Sequence, residues 1–201
     1  MMLPASFATA TPAGIEVETT ITTSAFATWQ FEDQEENVDI FVEPIFSDRT
    51  NYQLQLSYQR YDEAAQRIEF GKRFLEDDEF AIDKRLKSAS VSAQLDICFA
   101  EHFDTESGDC TEIDETVLID IQWQATGDLE RDRFSDRDIS DDGILVKATT
   151  TQFREAEATG SVGDEELGES SELNPANLQS EKTMCIATGE RSCEEEIGEE
   201  D

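Results

Sequence analysis

An all-β chain is what this sequence predicts, a two-sheet antiparallel β-sandwich of roughly eight to ten strands. Three observations predict it. Apolar residues recur at every second position over long segments, the period of a half-buried strand. Helical periodicity is nowhere sustained for three turns. And a chain of 201 residues is long enough to bury one proper core.

In chain order, Ile21, Thr23, Ala25, Ala27, Trp29 and Phe31 line one side of an early strand. Val38, Ile40 and Val42 line a second, ending near Pro44, and Tyr52, Leu54, Leu56 and Tyr58 a third. The segment RIEFGKRF is expected to pair back on it across a turn at Asp62 to Gln66. The two clearest strands are SASVSAQLDICF, with Ala89, Val91, Ala93, Leu95, Ile97 and Phe99 in phase, and TVLIDIQWQA, with Val117, Ile119, Ile121, Trp123 and Ala125 in phase. Ile144, Val146 and Ala148 open a late strand that bends before Ala156, Ala158, Gly160 and Val162. Small side chains along these strands allow close approach of the two sheets. The domain runs from 14 to 193, with 163–181 expected as a long polar loop because it carries Gly, Ser, Asn and Pro. Residues 194–201 are expected as a disordered acidic tail.

Residues 1–13 are expected to be the remnant of a signal peptide or a disordered arm. Ala8-Thr9-Ala10 before Thr11-Pro12 has the small-x-small form of a cleavage site. No stretch approaches the eighteen or so apolar residues of a membrane span, so no transmembrane segment is expected.

The four cysteines, Cys98, Cys110, Cys185 and Cys193, form two sequence-local pairs. Four cysteines allow three connectivities. Local pairing is favoured, because Cys98 ends one strand and Cys110 approaches the next, and CIATGERSC offers the same arrangement around Thr188-Gly189. Disulfides belong to oxidising compartments, which agrees with export. The competing zinc reading of Cys98, His102 and Cys110 lacks the close C-x-x-C pair of structural sites. His102 has no nucleophile and orienting acid in a recognisable pattern, and no G-x-S-x-G elbow is present.

A formal charge of -33, from 48 acidic against 15 basic residues, excludes a binder of nucleic-acid backbones and disfavours anionic membrane surfaces. Cations, basic proteins or neutral ligands remain as partners, or a salt-rich medium in which surface charge is screened over roughly 3 Å at 1 M. Among the acids, DISDDG sets Asp138, Ser140 and Asp142 ahead of Gly143, which resembles the first half of a calcium loop, D-x-[DN]-x-[DN]-G. It departs from that pattern at the twelfth position, where Thr149 replaces the bidentate Glu. No cofactor is expected, with calcium at this stretch as the alternative. Carboxylate pairs near Trp29 or Trp123 could serve glycoside hydrolysis, but both tryptophans are in phase with the core.

The expected function is that of an exported, extracellular or cell-surface, non-catalytic binding or structural protein. The alternatives are a calcium-dependent extracellular binding domain, a secreted glycoside hydrolase using carboxylates, and an intracellular DNA mimic.

Overall fold

A computed structural model describes residues 14–31, 36–48, 50–63, 67–170 and 176–194. The expected signal remnant or arm at 1–13, and all of the acidic tail beyond Glu194, lie outside the described residues. Among the described residues thirteen strands follow one another: β1 Ile15–Gln30, β2 Glu36–Phe46, β3 Tyr52–Asp62, β4 Arg67–Phe74, β5 Phe80–Ile82, β6 Ser88–Phe99, β7 Phe103–Asp104, β8 Asp109–Cys110, β9 Glu115–Ala125, β10 Glu130–Ser140, β11 Gly143–Val162, β12 Glu165–Leu167 and β13 Ala176–Thr188. One 3-10 turn spans Ala100–His102. Every pairing is antiparallel.

The architecture is sandwich-like, as the alternation predicts, and the 20-residue strand β11 is its corner. Its first part pairs with β10 and β13, so that one layer runs β10-β11-β13-β1-β2-β3-β4. Beyond Ala156 it leaves β13 and pairs with β9, entering the second layer of β12, β11, β9, β6 and β5. A strand that switches sheets in this way makes one edge of a sandwich. The other edge closes through two residue pairs, Glu69↔Phe99 and Phe70↔Cys98. Hydrogen bonding therefore returns to its start after eight strands, with β10 outside that ring and presenting a free edge.

The inward residues are those the period-two pattern selects. Ala25, Ala27, Trp29, Val38, Ile40, Val42, Leu56, Val91, Leu95, Ile119, Ile121 and Trp123 are buried in one cluster. Small residues alternate with the two tryptophans, and each indole finds a carbonyl: Trp29 Nε1 donates to Gly168 O at 2.9 Å and Trp123 Nε1 to Phe26 O at 2.9 Å. A buried indole N–H without such a partner would be destabilising.

One sequence expectation needs correction, and one strand was passed over. The stretch 163–181 is not one polar loop: Glu165–Leu167 and 176–181 are strand. β13 lies between β1 and β11, and its ladder bonds carry it although its side chains Gln179, Ser180 and Glu181 look like loop. Leu167 is buried, and Ser170 Oγ accepts from Ala158 N at 3.0 Å, so residues 165–170 pack back along β11. The strand passed over is β10, whose residues are almost all exposed. An edge strand with neither face in the core carries no apolar alternation, so periodicity passes over it.

Candidate functional site

The sequence singles out two places, and the structure adds a third. The first is the excursion between β6 and β9. Cys98 and Cys110 are joined, with Cα atoms 5.8 Å apart, and Cys185 and Cys193 are joined across 5.9 Å. Both local pairings hold, and no described cysteine is free. The first bridge ties the end of β6 to β8 of the small β7–β8 ribbon, and Phe103 of that ribbon stacks on Phe70 at 4.1 Å. Lys72 Nζ reaches Asp109 Oδ1 at 2.9 Å, so the ribbon is fastened to β4 by a ring stack and an ion pair.

His102 is partnered by carboxylates. Its Nδ1 lies 2.8 Å from Asp114 Oδ2, which also accepts from Phe99 N at 2.8 Å. The carboxylate beside it raises the His102 pKa above its ordinary value of 6.5, and the same hydrogen bond, with the one from Phe99, lowers that of Asp114. This is a loop clamp. The pairing of both cysteines with each other leaves no thiolate for the zinc reading.

The second place is DISDDG, and it is not a loop of calcium-binding shape. Asp138 and Ser140 belong to β10, and Asp141-Asp142 are the two-residue turn of the β10–β11 hairpin, closed by the pair Ser140↔Gly143. Gly143 has φ +141, and a Cβ there would stand 1.9 Å from Thr188 O. It is therefore a glycine for close backbone approach. Arg191 Nη1 donates to Asp138 Oδ2 at 2.7 Å and to Ser140 Oγ at 3.2 Å, and Asp142 O accepts from Glu190 N at 2.8 Å. A guanidinium stands where the cation was expected. Glu106 and Asp109, carboxylates that a calcium site in this sandwich would have to recruit from a neighbouring loop, belong to the β7–β8 excursion. Among the described residues no group of three or more His, Cys, Asp or Glu is arranged to hold a metal.

The third place was missed in sequence. Glu69 is buried, with Tyr58 Oη donating to its Oε2 at 2.7 Å and Arg67 Nε facing its Oε1 at 2.5 Å. Tyr58 is pushed well above its ordinary pKa, first by burial and then by Glu69. Arg60 bonds Glu165 and Glu36; burial works to lower its pKa, and the two carboxylates outweigh it and raise the value. The only sequence signal is a Glu in phase with the inward Gly71 of β4. Both oxygens of Glu69 are engaged, so the group is a satisfied buried carboxylate rather than one poised to move a proton. A groove of about 370 Å³ lies nearby, lined by Phe41, Tyr58, Phe70, Gly71, Lys72 and Phe103 among others. Trp29 and Trp123 are both in the core, so neither offers a stacking platform for a sugar.

Comparison with protein-family models, with curated proteins and with solved structures returned no match.

Proposed function

We propose that this chain is a non-catalytic binding or structural module that works outside the cytoplasm, in the medium or on the cell surface. The observation that carries the reading is the pair of disulfides, which staple two loops of an otherwise complete sandwich and persist in oxidising compartments. The core supports it as well, because the space between the layers is filled by aliphatic and indole side chains instead of forming a cavity for a substrate. The conspicuous polar groups, Glu69, His102, Asp138 and Arg60, are engaged with one another or with their neighbours. An intracellular DNA mimic is the weaker reading, since it gives the bridges no lasting environment. No helix of the described residues is long and apolar enough to cross a membrane.

The test is labelling of intact cells with a membrane-impermeant amine reagent, which would reach the exposed Lys84 and Lys87. Labelling without lysis, or recovery of the chain from the medium, is expected. Labelling only after lysis would overturn the reading.

A further inference from the structure

One face of the molecule breaks the rule of its composition. The first layer outruns the second: β1 and β11 have 16 and 20 residues, while β6 and β9 have 12 and 11. The face that is inward at Ala25 and Leu178 therefore continues past the end of the sandwich uncovered. It comprises the odd positions of 15–23 in β1, the even positions of 180–188 in β13 and of 144–154 in β11, and the odd positions of 131–139 in β10, as the register aligns them. Ile15, Val17, Ile21 and Ile139 are 41%, 38%, 55% and 63% exposed on it.

At the chain-wide frequency of 48 carboxylates in 201 residues, these 21 positions would hold about five. They hold none. They do hold Arg131, Arg133, Arg137, Arg154 and Lys182, five of the chain's 15 cationic residues. Arg131, Arg133, Arg137 and Lys182 are exposed and make no ion pair among the described residues. Arg154, where the face enters the sandwich, has a buried Nε without a hydrogen-bond partner there.

We propose that this face docks an acidic amphipathic segment of another polypeptide, its apolar side chains on the Ile-Val stripe and its carboxylates on Arg131, Arg133 and Arg137. The inference names a partner class for the binding role proposed above. Charge complementarity selects the partner. A second copy of this chain fits poorly. Antiparallel pairing of two β10 edges keeps each face on its own side, which sets arginines among arginines and Asp132, Asp136 and Asp138 among their equals, and like charges across strands destabilise. Two copies packed through this face would again oppose cation to cation.

The experiment is selection of a displayed random peptide library on the purified full chain, followed by titration of the synthetic peptide recovered. Recovered peptides rich in Asp, Glu and apolar residues are expected. Their affinity should fall about tenfold or more in R131Q/R133Q/R137Q, since three exposed ion pairs are each worth up to about 1 kcal/mol. It should fall again in V17S, recover in R131K/R133K/R137K, and be unchanged in K84Q/R85Q/K87Q. No enrichment, basic peptides, or binding indifferent to the triple Gln variant would overturn the proposal. Self-association of the chain that the triple variant abolishes would also overturn it. The purified chain is used throughout, so failure here is distinct from failure of the extracytoplasmic reading.

Discussion

At the residue scale, His102 is a convenient probe because it is the only histidine in the chain. Its pKa is raised by Asp114 and that of Asp114 is lowered by it. A raised histidine contributes stability that is fully present below its unfolded value near 6.5 and is lost as pH rises through the folded value. A lowered aspartate contributes stability present above about 4 and lost as pH falls through its folded value. The clamp is therefore strongest between those limits, and an NMR titration should place the His102 midpoint above 6.5 in the folded chain. In Asp114→Asn the midpoint should return toward 6.5; an unchanged midpoint would remove the clamp. Gly143 makes a second residue-scale prediction. A methyl group at that φ, directed at Thr188 O, should lower the stability of Gly143→Ala by about 2 kcal/mol or more in chemical denaturation. Arg191 makes a third: with its guanidinium on Asp138 and Ser140, millimolar calcium at fixed ionic strength should leave the melting temperature unchanged.

At the element scale, each disulfide closes a short loop, and the loop-entropy model gives about 2 to 3 kcal/mol for bridges of this length. Paired Cys→Ser replacement at 98 and 110 should cost that much in a denaturant melt; a loss below about 0.5 kcal/mol would mean that the ribbon is held by its other contacts alone. The strands that period-two alternation predicts are those with one face in the core, β1, β2, β3, β6, β9 and β11. Their inward residues were legible because burial itself writes the pattern. β10 was illegible for the complementary reason, having no buried face. β13 was hidden because half its length lies in the uncovered part of the layer, where Ser180 and Lys182 replace core residues. The same overrun explains Ile21, which alternation places in the core and the structure leaves 55% exposed. Of the candidate sites, both cysteine pairs could be read from their spacing, whereas DISDDG misled because a hairpin turn and a cation loop both draw on Asp, Ser and Gly. The Tyr58–Glu69 pair depends on the β3–β4 register and was not visible before it.

For the whole molecule, a charge of -33 makes self-repulsion a standing cost that salt relieves. Melting temperature should rise steadily with sodium chloride from low ionic strength into the molar range, as expected for a surface suited to a saline medium; a flat or falling curve would place the carboxylates in local pairs instead of in a repelling field. On the extracytoplasmic reading proposed above, the two bridges that staple the sandwich's loops form where the protein works. Non-reducing peptide mass mapping of the chain purified from its own cells, with thiols blocked at lysis, tests it most directly. Linked peptides joining Cys98 to Cys110 and Cys185 to Cys193 are the predicted result. Four blocked, free thiols would contradict it, and would return the acidic surface to the interior of the cell.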